Sequence, residues 1–353
     1  MDSALRGAGQ SRDLRLKIVD ITDSGGVNSM EVWPMILGGF PRTKEVRHAL
    51  RDLERGSRSY VDVDWWIRAA SAAIIGAQET LGFRYVTDGM VDWHDIFRPF
   101  VLAWRNVSAS GLLRYFDNNF FYRVPVFTDR PDPDHFVWPP RIRALSDIAE
   151  PSPLKAVLPG PTTFLLMSKN LSGLSKEDLG ESIASALAME AEAAQQAGAG
   201  AVQIDEPFLT DQEISRDDAE LGVQLINVIT SRLKVPAIVS LYFDVPKDEV
   251  YEALLNVKAD YISLDVADAP SRALSLIARK GLGGHKAVLG VIDARRIEDD
   301  QVDKVSDWVS QATKSAGLNE VGLTTTTWFD VIPYRYSLRK AFLLSLAAER
   351  LRG

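Results

Sequence analysis

Short apolar runs alternate with longer stretches in which apolar residues recur every three or four positions, and this alternation runs through most of the chain. The runs Met35–Gly39, Phe83–Asp88, Lys155–Pro159, Ala201–Asp205, Pro236–Tyr242, Asp260–Asp265, Lys286–Ile292 and Glu320–Thr325 read as buried strands. The stretches between them read as helices. In SKEDLGESIASALAMEAEAAQQAG, Ser175 is a natural N-cap followed three residues on by Asp178, and Gly198 is a natural stop. Eight such alternating units favour a (β/α)8 TIM barrel of the α/β class over a doubly wound sheet.

Residues 92–153 break the repeat. LLRYFDNNFFYRVPVF and TDRPDPDHFVWPP are rich in aromatics and proline, so this stretch reads as a long insertion between the second and third strands, with a hairpin, covering the barrel mouth. The expected organisation is an N-terminal extension over 1–30 and a single barrel over 31–353.

Composition narrows the function. With 353 residues, 46% hydrophobic and 25% charged, the chain is of ordinary globular type. A formal net charge of -8 argues against a nucleic-acid surface, leaving small molecules or other proteins as partners. The absence of cysteine excludes disulfides, thiolate catalysis and cysteine-ligated metal. No apolar run is long enough to span a membrane and the first residues lack a signal core, so the expected location is cytoplasmic.

The strands end in polar residues: Gly38 and Gly39, Asp88, Asp205 and Glu206, Tyr242, Asp265, Asp293 with Arg295, and a threonine run that includes Thr325 and Thr327. In a barrel these ends converge on the functional face. In AVQIDEPFL (201–209), strand alternation puts Gln203 and Asp205 on one face, so Asp205 is a carboxylate at the mouth, suited to an ammonium or a pterin-like set of N–H donors. The alternative is that Asp205 and Glu206 cap the following helix. Gly38-Gly39-Phe40-Pro41-Arg42 reads either as a close approach for a ligand or as a tight turn. His94 lies near a strand end, whereas His48, His135 and His285 fit surface or packing roles.

Several of these motifs, in fixed order, resemble cobalamin-independent methionine synthase: GGFPRTKEVR, LLRYFDNNFFYRVPVF, KAVLPGPTTFLL, VQIDEPFL, LYFDV, YISLDV and LGVIDARR. The resemblance covers most of the chain from about residue 35 and implies a TIM barrel. That family pairs two homologous barrels, one carrying zinc that activates homocysteine and one metal-free barrel that helps to hold 5-methyltetrahydrofolate. Carried over by motif, the zinc ligands fall near Val239 and Leu241, at Asp265 and near Thr327, and the proton-donating histidine falls near Ala294. A valine, a leucine and a neutral threonine are not zinc ligands, so no zinc is expected. The aspartate of IDEP is similar to the family's anchor for a substrate amino group.

The resemblance implies a zinc-free, folate-binding subunit that holds no cofactor tightly, takes 5-methyltetrahydrofolate as methyl donor or ligand, and pairs with a zinc-bearing homologous barrel or with a second copy. The alternatives are an independent, zinc-free one-carbon (methyl) transferase acting on a different acceptor that needs no thiolate activation, with Asp88, His94 or Asp205 as acid or base, and a non-catalytic binding barrel. Gly38, Gly39, Arg42, Glu206, Tyr242, Asp265, Asp293, Arg295, Thr325 and Thr327 are the expected substrate-binding positions.

Overall fold

The computed structural model describes residues 30–116, 118 and 120–353. The expected extension over 1–30 lies, but for Met30, outside the described residues, as do Asp117 and Asn119 of the aromatic motif. Ten strands are β1 (Glu31–Pro34), β2 (Trp104–Arg114), β3 (Phe121–Pro133), β4 (Lys155–Pro159), β5 (Lys169–Asn170), β6 (Ala201–Asp205), β7 (Ala237–Ser240), β8 (Tyr261–Asp265), β9 (Lys286–Ile292) and β10 (Glu320–Thr325). Seven form one parallel sheet in the order β1-β10-β9-β8-β7-β6-β4, and β2, β3 and β5 form a small second sheet.

Every residue of β4, β6, β7, β8 and β10 is buried, because helices cover the sheet. The helix Lys176–Gln196 buries Leu179, Ile183, Leu187 and Ala191, one residue per turn. Its Ser175 side chain accepts from Asp178 N, as the sequence leads one to expect. Among the described residues no helix is long and apolar enough to cross a membrane.

Two sequence-expected strands differ. Met35–Gly39 is the loop that follows β1: Met35 N still donates to Leu323 O, but the carbonyls of Ile36 and Leu37 accept from the Lys155 ammonium, not from a neighbouring strand. Phe83–Asp88 keeps one bridge, Val86 to Leu154. Gln78 takes both backbone groups of Thr87, which removes them from any ladder. The segment still bonds both edges of the sheet, through Arg84 N to Pro34 O, Val86 N to Pro153 O and Lys155 N to Val86 O.

Between this segment and β4 the chain forms the helix Arg98–Ala103, the antiparallel pair β2–β3 and the helix Trp138–Leu145. Phe97, Trp104 and Phe127 of this stretch pack on Phe164, with ring centroids 4.9, 5.4 and 5.7 Å away, which ties the hairpin base to the strand ends.

Candidate functional site

Asp205 ends β6 and is fully buried. Its Oδ1 accepts from Gln203 Nε2 at 2.6 Å, and its Oδ2 accepts from Trp328 Nε1 at 2.9 Å and Tyr242 Oη at 3.2 Å. Burial pushes its pKa up, opposed by these donors and by the charge of Lys155. Beneath it, Lys155 Nζ, also fully buried, donates to Ile36 O at 2.6 Å, to Leu37 O at 3.0 Å and to Gln203 Oε1. Burial pulls the ammonium's pKa down, and attraction to Asp205 resists this.

Trp328 roofs this group. Its indole lies on Gly38 and Gly39, where a Cβ would stand 2.3 and 2.8 Å from the ring, so what approaches the glycine backbone is Trp328. Above lies a narrow aromatic-walled pocket of about 20 Å³, room for about one water, bounded by Tyr115, Phe120, Tyr242, Phe243 and Trp328. Tyr115 Oη is buried without a hydrogen-bond acceptor or donor inside normal geometry, although it faces Tyr242 closely enough for each to perturb the other. Phe120, Trp328, Asp330 and Val331 also border a second, open cleft of about 490 Å³. That cleft carries Arg42, Lys44, Arg47 and His94, and neither Lys44 nor Arg47 forms a salt bridge among the described residues. Asp330, between the two, is pushed up to about 6 by burial, with Arg42 opposing.

The structure gathers Asp205, Tyr242 and Thr327, with Gly38 and Gly39 under the Trp328 ring, at the C-terminal ends of the parallel strands; the other expected site residues do not join them. Glu206 is buried and accepts from Thr162 N at 2.8 Å, Thr163 N at 2.9 Å and Thr163 Oγ1 at 2.7 Å, so it caps the preceding helix Pro161–Leu166, not the one that follows. A Cβ on Gly160 would lie 2.0 Å from Glu206 Cδ, which explains the glycine before that helix. Asp88 turns away to Arg141, which it meets at 2.6 Å together with Asp92. His94 is half exposed and lies 3.5 Å from Glu54, in the open cleft and not beside Asp205. Arg42 clamps the backbone carbonyls of Val91 and Trp93. Asp293 accepts from Arg295 N and pairs with Arg296, while Arg295 pairs with Asp268 and borders a separate surface cleft.

Thr325 Oγ1 donates to Thr327 O at 2.7 Å and accepts from Leu37 N at 3.4 Å, so its hydroxyl ties the chain after β1 to the end of β10. Asp265 keeps one oxygen without a partner, and burial with the neighbouring Asp268 charge pushes its pKa well above the carboxylate range. The carboxylates at the strand ends, Asp88, Asp205, Glu206 and Asp265, are therefore buried and have separate surroundings, not one shared cluster.

The zinc test fails on the residues themselves. Val239 and Leu241 are buried aliphatic side chains, and among the described residues no three His, Asp or Glu side chains are grouped to hold a metal ion. Lys155, Trp328, Tyr115 and Asp330 were not singled out by sequence reasoning. A lysine inside an otherwise apolar strand, KAVLP, is the one signal that marks any of them.

Residues 87–317 match the family model described as "Cobalamin-independent synthase, N-terminal domain". A 5-methyltetrahydropteroyltriglutamate–homocysteine methyltransferase of Chelativorans sp. (strain BNC1) is 24% identical over 84% of this chain, and the match spans 40% of that relative's length. A methionine synthase of Saccharolobus islandicus (strain Y.G.57.14 / Yellowstone #1) is 25% identical over 74% of this chain and 78% of its own. Among solved structures, a B12-independent methionine synthase from Shewanella sp. W3-18-1 in complex with selenomethionine superposes with a TM-score of 0.74 at 20% identity, covering 84% of this chain and 90% of that one.

Proposed function

Since the chain belongs to the cobalamin-independent methionine synthase family, we propose that it is a zinc-free, folate-binding barrel that works with a separate zinc-bearing barrel to move a methyl group from 5-methyltetrahydrofolate to homocysteine. In this reading segment 83–88 closes the parallel sheet into a (β/α)8 barrel, and the β2–β3 hairpin stands at its mouth.

The observation that carries the proposal is the continuity of two unlike cavities. The aromatic walls suit a flat, partly polar ring that enters once Trp328 moves aside, and the cleft joined to them through Trp328 and Asp330 presents Lys44 and Arg47 to an anionic chain. The Chelativorans relative is named for a triglutamate-bearing folate, a ligand with one part of each kind. Asp205 would receive an N–H donor of the ligand or of the acceptor once Trp328 moves aside, because the indole occupies that oxygen here. A zinc-bound thiolate has to come from elsewhere: a thiol of pKa near 8.5 is mostly protonated at neutral pH, and nothing at this mouth ionises it.

The test is methionine formation from homocysteine and 5-methyltetrahydropteroyltriglutamate, with this chain alone, with a zinc-bearing barrel alone and with both. The expected result is turnover only with both. Robust methionine formation by this chain alone would overturn the reading; no methionine even with both chains would leave the second reading, an independent transferase acting on a different acceptor.

A further inference from the structure

Lys155 sits where a charge is costly. It is fully buried at the start of β4, and none of its hydrogen-bond acceptors is a carboxylate: it has two backbone carbonyls and the Gln203 amide oxygen. An ammonium has only donors, so Gln203 must turn its oxygen to Lys155. Its Nε2 then points the other way, to Leu37 O at 2.7 Å and Asp205 Oδ1 at 2.6 Å. With Gln203 fixed as a donor, Asp205 faces donors from three sides: the amide, the Tyr242 hydroxyl and the Trp328 indole.

We infer that Lys155, acting through the Gln203 amide, is the positioning residue of Asp205, fixing which amide atom meets the carboxylate and holding it in the anionic form that can anchor a ligand's N–H groups. The functional meaning rests on the proposed role of Asp205 at the mouth, but the device itself is a property of the unliganded protein. The groups facing Asp205 are Lys155 from β4, Gln203 from its own strand, Tyr242 after β7, Tyr115 from the hairpin and Trp328 after β10. The loop over Lys155 contributes carbonyls and the Met35 sulfur, none of which titrates.

A merely structural Lys155 would only pin the loop at Ile36 and Leu37. The two roles separate when the Asp205 titration is followed by carboxyl-carbon NMR, with the resonance assigned by its loss in Asp205→Asn and the protein free of ligand. Lys155→Met should raise the Asp205 midpoint by at least one pH unit, a tenfold gain in proton affinity. Gln203→Met, which keeps the lysine and its loop contacts, should also raise it. If Lys155→Met fails to fold, Lys155→Gln, which removes the charge but keeps a donor toward Ile36 and Leu37, decides by the same shift. Midpoints within 0.3 pH unit of wild type in the folded variants would overturn the inference, whatever happens to stability. Because no folate is present, failure here is distinct from failure of the folate-binding reading.

Discussion

Two carboxylates at opposite ends of the parallel strands have the same kinds of neutral donor and opposite behaviour. Glu320 opens β10 and accepts from Trp33 Nε1 at 2.9 Å and Tyr261 Oη at 2.7 Å; Asp205 closes β6 and accepts from Trp328 Nε1 and Tyr242 Oη. Burial pushes Glu320 upward, but direct contact with Lys286, together with Tyr261 and Trp33, outweighs it, and its pKa falls below the usual value. Asp205 has its cation one residue removed, behind Gln203, and its pKa rises. An indole and a phenol alone do not determine a carboxylate's state; the depth of burial, greater for Asp205, and the distance of the counter-charge together do. The lower carboxylate is a finished structural joint, and the upper one is left responsive.

The comparison breaks most visibly at Glu320. Glu320→Ala strips the acceptor from two buried donors and should cost about 4 kcal/mol, at roughly 1–3 kcal/mol each, with the part-exposed Arg84 and Lys286 screened by solvent. Denaturant unfolding measures this, and folate binding by the variant should be unchanged.

Next is a pH effect beside the mouth. Burial raises Glu206 from 4.5 to about 7, so its contribution is fully present below about 4.5 and is lost as pH rises through 7. Relative to Glu206→Gln, wild type should lose about 3 kcal/mol of stability between pH 4.5 and pH 8, since each tenfold change in proton affinity is worth about 1.4 kcal/mol. Glu320, with its pKa lowered, behaves oppositely: its contribution is present above the unfolded value and is lost as pH falls through the folded one. Matched unfolding curves of the two variants across pH should therefore diverge from wild type at opposite ends of the range.

Asp205→Asn should cost about 2 kcal/mol, because an amide offers one acceptor oxygen where donors arrive on both sides, and one set is left unpaired. Thermal unfolding checks this cost. The smallest stability effect belongs to the cleft: Lys44→Ala with Arg47→Ala should change stability by less than about 0.5 kcal/mol, since both side chains are exposed. The same pair should erase any preference for triglutamate over monoglutamate folate in a binding titration.

Much of the framework was legible in the sequence because apolar period and capping are local properties. β4, β6, β9 and β10 fall where the apolar runs lie, to the residue. Met35–Gly39 and Phe83–Asp88 misled because their backbone groups bond to Lys155 and Gln78, partners that no local pattern reveals. At the site, strand alternation placed Gln203 and Asp205 on one face, and the structure joins them by a hydrogen bond. Glu206, Asp88 and Arg295 also lie near strand ends, but their directions are set by Thr163, Arg141 and Asp268, which are distant in sequence. Trp328 escaped notice for the same reason: its importance lies in meeting Gly38 and Asp205, far away along the chain.

The most direct measurement is calorimetric titration of 5-methyltetrahydropteroyltriglutamate into wild type and Asp205→Asn, both shown to be folded at the temperature used. The account predicts saturable binding to wild type and at least tenfold weaker binding to the variant. Equal affinity in the two proteins, or no binding to either, would contradict the claim that this mouth is a folate site anchored by Asp205.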